Sequence, residues 1–237
     1  MTSPIAIERA QTFLVLSIVV TVLLYVVPYG HTIGYPLVLL STLAHEMGHG
    51  IAAILVGGTF DQFQMWTDGS GVAQWYGDVG RLGKAFVSAG GLVGPAVTAA
   101  LGFWLARGEK SARVGLIVLG VGLVVAEVLV VRGAFGMVFV AALAAICFLL
   151  AYKVKPWIGQ VTVGFIAVQL ALSVFSRGDY LFTATAQTSK GPMPSDVAQM
   201  SDALWLPYWF WGAVCGLLSV AVMLLGLRAF FKKSAKA

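Results

Sequence analysis

The sequence is divided into apolar runs, each long enough to cross a lipid bilayer as a helix. A membrane-spanning helix needs about 20 predominantly apolar residues, and charged residues, Pro or Gly bound each run here. The runs lie at about 11–28, 35–56, 84–106, 112–131, 134–152, 157–175 and 204–230. Because a backbone in lipid must satisfy its own hydrogen bonds, such runs fold as helices. The sequence therefore predicts an all-α polytopic membrane protein.

The number of spans depends on one weak break. Only Arg132-Gly133 separates the fourth run from the fifth, and it is compatible with a tight turn between two spans or with a kink. About six or seven transmembrane helices are therefore expected, within a single transmembrane domain over 1–237. With 59% hydrophobic and 11% charged residues, the chain is far outside the composition of soluble domains.

The basic residues lie in short loops and at the C-terminus, which argues for topology signals and against nucleic-acid binding. With seven spans the densest groups fall on one side of the membrane, which favours a cytoplasmic C-terminus and an external N-terminus. These groups are Arg107, Lys110 and Arg113, then Lys153 and Lys155, and finally Arg228, Lys232, Lys233 and Lys236.

The second run contains the motif His45-Glu46-Met47-Gly48-His49, an HExxH pattern. Two histidines four residues apart lie on one face of a helix, so both imidazoles reach one metal ion, and Glu46 is placed to hold a water there. An acidic residue at the centre of a spanning helix costs roughly 2.5–3.5 kcal/mol on insertion, so Glu46 needs a compensating partner. Zinc and water supply one. The alternative is a hydrogen-bonded polar cluster without metal.

A zinc site with two histidines needs a third protein ligand, so that the fourth position stays open for water. Two acidic residues after the motif are candidates. Asp179 follows the sixth apolar run, and Asp196 stands near the start of a short helix that Ser195 is expected to cap. One of these two aspartates is expected to bind the metal, and the sequence leaves open which.

A β-hairpin is predicted directly after the metal helix, within 57–83. Partial alternation of apolar and polar residues flanks the turn Asp68-Gly69-Ser70-Gly71, and Gly57-Gly58 ends the preceding helix. An extended peptide could add to the exposed edge of this hairpin, which is how many proteases hold a substrate. A surface hairpin without such a role is the other interpretation.

Small residues line the third run, the Gly/Pro helix predicted at 84–106. Gly90 and Gly94 form one small-residue face, and a matching face on the metal helix has Ala44, Gly48 and Ala52, so the two helices can pack closely. Pro95 frees a backbone carbonyl near the site. Close packing alone also explains the pattern.

Together these motifs resemble the site-2 protease family of intramembrane zinc metalloproteases. The resemblance is carried by His45 to Gly50 in an apolar helix, a following hairpin, and Ala89-Gly90-Gly91-Leu92-Val93-Gly94-Pro95 in the next helix. It is strongest to a small bacterial, plant and fungal branch, which typically has Ser-Asp-Ala before a Trp-containing last helix. Here Ser195-Asp196-Val197 precedes the tryptophans of the last predicted helix, at 204–230.

The resemblance implies one zinc ion per chain, Glu46 as the catalytic base, and Gly94 and Pro95 as substrate-positioning residues. It implies a membrane-protein substrate cut within or near the bilayer, and a multi-pass protein of the bacterial cytoplasmic membrane. The chain departs from the better-studied members in two places. Their Leu-Asp-Gly motif is matched only in part, by Gly178-Asp179-Tyr180 within the loop 176–203. Where they usually have Asn, three residues after the Gly-Pro pair, this chain has Thr98.

Two other function classes compete with a protease. A transport or scaffold protein could keep a zinc site without hydrolysing anything, but such a site has no need of a general base such as Glu46. A zinc or proton permease would place polar residues on several spans, and most spans here lack them. The sequence does not indicate the substrate or the oligomeric state.

Overall fold

The structure, a computed structural model, describes residues 4–176, 181–189 and 191–231. Within these ranges the chain forms eight α-helices and five short β-strands. The helices are α1 (Pro4–Val26), α2 (Gly30–Leu55), α3 (Gly80–Leu105), α4 (Glu109–Leu129), α5 (Ala134–Tyr152), α6 (Pro156–Ser176), α7 (Asp196–Leu204) and α8 (Tyr208–Phe231). The strands are β1 (Thr59–Met65), β2 (Gly71–Tyr76), β3 (Val131–Arg132), β4 (Thr185–Thr188) and β5 (Gly191–Pro194).

Six of the helices in the described part of the chain, α2 to α6 and α8, are long and apolar enough to cross a membrane. In α1 the described residues include the apolar stretch Leu14–Leu24. The chain is therefore a mostly helical, multi-pass integral membrane protein, as the apolar runs predicted. Several helices begin a few residues before their apolar runs. Only the part of a helix inside the hydrocarbon layer must be apolar, and the helix extends beyond it.

The predicted last helix, 204–230, is wrong at its start. The structure ends α7 at Leu204 and begins α8 at Tyr208. Between them Trp205 adopts the left-handed conformation, with φ of 62°, and Pro207 has no N–H to continue a helical ladder. Ser195 caps α7 as expected, because its side chain accepts a hydrogen bond from the Ala198 N–H at 3.2 Å.

The break at Arg132-Gly133 separates two antiparallel helices. Gly120 of α4 lies against Cys147 and Phe148 of α5, and β3 occupies the connection. Gly133 has a φ of +84°, a backbone conformation that favours glycine. The short strand β3 was not predicted, since two residues carry no periodic signal.

The predicted hairpin is present and belongs to a three-stranded sheet. β1 pairs with β2 antiparallel and with β3 parallel, which gives the strand order β2-β1-β3 and makes β2 an edge strand. Phe63 and Met65 of β1 are buried against α4 and α5. This packing fixes the sheet beside the metal helix.

Helix α3 lies against the metal helix α2 at very short range. A Cβ atom added at Gly48 would lie 2.2 Å from the Gly90 carbonyl oxygen, and one added at Gly94 would lie 2.7 Å from the Ala44 carbonyl oxygen. The predicted small-residue faces therefore form this interface. On its other sides α3 packs against α6, α7 and α8, so that it connects the two parts of the chain that form the site.

Candidate metal centre

The two histidines of the HExxH motif converge one turn apart on α2. Their Nε2 atoms lie 3.2 Å apart, and the rings meet edge to face with centroids separated by 4.7 Å. His49 is buried, and its Nδ1 donates a hydrogen bond of 2.8 Å to the Val87 carbonyl of α3. This bond assigns the proton to Nδ1 and leaves the Nε2 lone pair directed into the site.

Asp196 completes a cluster of three possible metal ligands. Its Oδ2 lies 3.1 Å from His45 Nε2, and its Oδ1 lies 3.3 Å from His49 Nε2. Asp196 is the first residue of α7 and is itself buried. Burial raises the pKa of this carboxyl, but in the cluster without metal the charge and hydrogen bonds of the two imidazoles, when protonated, more than offset that effect, so its pKa lies below its ordinary range.

The donor set fits a zinc ion. Two imidazole nitrogens and one carboxylate oxygen, all within 4.8 Å of one another, are the ligand types of a catalytic zinc site. Tetrahedral coordination with bonds of about 2.0–2.1 Å places ligand atoms about 3.3 Å apart. The three separations in the cluster are 3.1, 3.2 and 3.3 Å.

Glycine leaves the space that His49 occupies. A Cβ atom at Gly91 of α3 would lie 2.1 Å from His49 Nε2, far closer than any van der Waals contact allows. Gly91 belongs to the Gly-rich segment singled out in the sequence, where close helix packing was the expected role. The structure adds that this position makes room for the imidazole.

Glu46 is held by the hairpin. Its Oε2 accepts a hydrogen bond of 2.6 Å from the Ala73 N–H of β2, and it is buried. A Cβ atom at Gly71 would lie 2.9 Å from Glu46 Cγ, so glycine there lets the strand approach the side chain. Sequence reasoning missed the contact because a backbone N–H has no signature in the residue types.

The cluster opens into a cavity of about 440 Å³ between the two hairpins. The first hairpin turn is tied to α2, since the Thr42 hydroxyl donates to the Gly69 carbonyl at 2.7 Å. The second hairpin, β4–β5, reaches the same turn, where the Ser189 hydroxyl donates to Asp68 Oδ2 at 2.5 Å. Hydrogen bonds from Ser189 and Ser70 hold the pKa of the Asp68 carboxyl below its ordinary value.

The other predicted site residues have different positions. Asp179 lies outside the described residues. Pro95 lines the cavity, whereas Gly94 lies against the Ala44 carbonyl at the interface of α2 and α3. Thr98 donates to the Gly94 carbonyl of its own helix at 2.9 Å.

Comparison with known proteins gives one family match, which agrees with the fold. The family model described as Peptidase M50B-like matches residues 15–226, which is most of the chain. No curated protein and no solved structure gives a match. The M50 peptidases are metallopeptidases of membranes, and this branch belongs with the site-2 proteases. Because the match covers the metal helix, both hairpins and α7, the chain belongs to the Peptidase M50B-like family of membrane metallopeptidases.

Proposed function

We propose that this protein is an intramembrane zinc metalloprotease that hydrolyses peptide bonds of membrane-protein substrates within or near the bilayer. His45, His49 and Asp196 hold one zinc ion, and Glu46 is the general base. The observation that carries the proposal is the spacing of the three ligand atoms, 3.1–3.3 Å, which matches the edges of a zinc tetrahedron. The same spacing supports Asp196 as the third ligand.

The chemistry assigned to the site is metal-assisted hydrolysis. Zinc, when bound, supplies a Lewis acid that polarises a carbonyl and lowers the pKa of water. Glu46 takes the proton of the attacking water and passes it to the leaving amine. The Ala73 N–H orients the Glu46 carboxylate, and burial of Glu46 limits competing contact with bulk water. A structural zinc site has no need of such a base.

The edge of β2 that does not pair with β1 is the proposed binding surface for an extended substrate, on either side of the Ala73 N–H that holds Glu46. The Phe63 N–H donates to the Val130 carbonyl, away from β2, and Phe63 is paired with Ala73. In an antiparallel pair this alternation turns the Ala73 N–H away from β1 as well. Gly71, Ala73 and Trp75 line the cavity at this edge. A substrate strand added there exposes its amide bonds to the cluster.

The substrate class follows from the location of the cluster among apolar helices. Peptide bonds inside a transmembrane helix are shielded, so a substrate helix must unwind locally before cleavage, and Gly or Pro near its cut site assists that step. Regulated cleavage of a membrane protein in the bacterial cytoplasmic membrane is the setting that we propose.

Zinc content of the detergent-purified full chain tests the metal site. We expect about one zinc per wild-type chain, retention in Glu46→Gln, and loss in His45→Ala. Asp196→Asn should lose most of its zinc, and Asp179→Asn is the matched control that should keep it. Loss in Asp179→Asn with retention in Asp196→Asn would reverse the ligand assignment. Wild type that cannot be loaded with zinc at neutral pH would overturn the proposal.

Cleavage is tested in bacterial membranes that contain either wild type or Glu46→Gln. New N-termini within transmembrane segments of other proteins, identified by mass spectrometry, should appear with wild type and not with Glu46→Gln. Zinc binding without any cleavage that depends on Glu46 would favour the transport or scaffold alternative.

A further inference from the structure

The cluster draws its ligands from two separate elements. His45 and His49 are fixed relative to each other by one helix, α2. Asp196 comes from α7, a helix of nine residues whose first residue faces the two histidines. The geometry of the site therefore depends on how firmly α7 is held in place.

The first turn of α7 is held by Ser195. The Ser195 hydroxyl donates to the Thr183 carbonyl at 2.6 Å, and the Ser195 N–H donates to the Ala184 carbonyl at 3.0 Å. The middle of the helix is held by Val197 and Met200, which are buried in an apolar cluster with residues of α3 and α8. The far end of α7 also packs against this cluster, but its last backbone carbonyls still need polar partners.

Arg81 of α3 binds that far end. Its Nε donates to the Ala203 carbonyl at 2.7 Å, and its Nη2 donates to the Asp202 carbonyl at 3.3 Å. Its guanidinium also lies 3.6 Å from the centre of the Trp205 ring. The last carbonyls of a helix lack intrahelical partners and carry partial negative charge, so a planar cation with several donors is suited to this position.

We propose that Arg81 is a positioning residue for the metal centre, which acts by fixing α7 and thereby Asp196. Arg81 is one residue past the start of α3, and the same helix supplies the Val87 carbonyl that orients His49 and the Gly91 position that accommodates it. Helix α3 therefore contacts both elements that supply the ligands, the histidine helix α2 and the aspartate helix α7. The inference rests on the proposed metal site at His45, His49 and Asp196.

The test measures zinc affinity of the detergent-purified full chain by competition with a chromophoric chelator. Substitution of residues that orient metal ligands typically weakens binding by 10–100-fold, and we expect Arg81→Gln to weaken zinc binding by roughly that factor. Arg81→Lys, which keeps the charge but not the fork of donors, should fall between Arg81→Gln and wild type. Lys84→Gln is the matched control: it removes an exposed cation one turn further along α3 and should bind zinc as wild type does.

A second variant and a spectroscopic measurement separate positioning from general stability. Trp205→Gly removes the stacked ring while accommodating the left-handed backbone, so it should weaken zinc binding less than Arg81→Gln does. In the cobalt-substituted protein, Arg81→Gln should lose visible absorption intensity, because a displaced Asp196 is replaced by water. Thermal unfolding of the metal-free proteins is followed by circular dichroism. The free energy of unfolding should fall less in Arg81→Gln than the free energy of zinc binding does.

The outcomes distinguish the inference from the proposed function. If Arg81→Gln binds zinc with wild-type affinity and gives the wild-type cobalt spectrum, Arg81 has no positioning role, while the zinc site stands. If Arg81→Gln destabilises the metal-free and zinc-bound forms equally, its role is structural and the inference is wrong. If wild type itself binds no zinc, the proposed function fails first.

Discussion

The imidazole of His49 occupies the space that a side chain at position 91 would need. Its neighbours are equally specific: the Val87 carbonyl accepts from Nδ1, and Asp196 faces Nε2. Single atoms on three elements therefore determine whether His49 can bind a metal. The methyl group of an alanine at position 91 would fill the space that the His49 ring occupies.

We expect Gly91→Ala to weaken zinc binding by at least about tenfold, because its Cβ would lie 2.1 Å from His49 Nε2 and must displace the ring. Zinc content and chelator competition measure the effect. Gly34→Ala in α2, where an added Cβ meets nothing within 4 Å, is the control that should bind normally. Normal zinc binding by Gly91→Ala would show that His49 can move without cost to the site.

A second residue-scale finding concerns Glu127, an acidic residue inside α4 that lies five residues before Arg132. Arg132 donates to the Leu129 and Val131 carbonyls at 2.7 Å each. Glu127 Oε2 is buried and has no hydrogen-bond partner among the described residues. The Arg132 guanidinium therefore satisfies backbone carbonyls at the end of α4 and in β3.

At the scale of elements, glycines bring the backbones of α2 and α3 close together beside the site. Helix association in lipid depends on packing, and small residues allow the backbones to approach. Gly48 lies between the two histidines of the motif, so the residue that allows close approach also lies within the site. Helix packing and metal geometry are therefore coupled in the same helix pair.

Replacement of Gly48 by Ala should separate the two helices, because its Cβ would lie 2.2 Å from a backbone oxygen that cannot rotate away. We expect destabilisation of about 1–3 kcal/mol, the usual cost of overpacking, and weaker zinc binding. Thermal unfolding of the metal-free protein measures the first effect. Gly122→Ala in α4, where the space is open, should unfold as wild type does, and an equal loss in both variants would refute the packing argument.

The molecule as a whole has one strongly basic end. Arg113 of α4 lies 5.4 Å from the centre of the Tyr152 ring at the end of α5, so the loops that follow α3 and α5 meet at the same end. The end of α8 joins them, since Phe230 packs against Phe103 of α3. The basic residues in the described part of this end are Arg107, Lys110, Arg113, Lys153, Lys155 and Arg228.

Because short loops rich in Lys and Arg remain in the cytoplasm, this end should be cytoplasmic and the connection between β2 and α3 external. Labelling of single cysteines with a membrane-impermeant maleimide tests the orientation in intact bacterial cells. Asp78→Cys should react directly, whereas Lys110→Cys should react only after permeabilisation. The two native cysteines are buried and provide a low background. The reverse labelling pattern would invert the topology.

Some helices and strands could be predicted from the sequence and others could not. The apolar runs located the six helices of the described residues that are long enough to span a membrane, and the hairpin turn at Asp68-Gly69-Ser70-Gly71 was confirmed. The boundary between α7 and α8 was not, because Trp205 and Pro207 interrupt a run that is apolar throughout. The strand β3 was missed because it exists only through its pairing with β1.

The sequence by itself determined the membrane setting, the pair of histidines and the neighbouring Glu46. Hydropathy and the four-residue repeat of His45 and His49 act within one helix, so local periodicity is sufficient. Only the tertiary structure decided that Asp196 faces both imidazoles, that the Val87 carbonyl and the Ala73 N–H orient the side chains, and that Gly91 leaves them room. These contacts join separate elements and involve backbone atoms that every residue possesses, so they arise from helix packing and not from residue type.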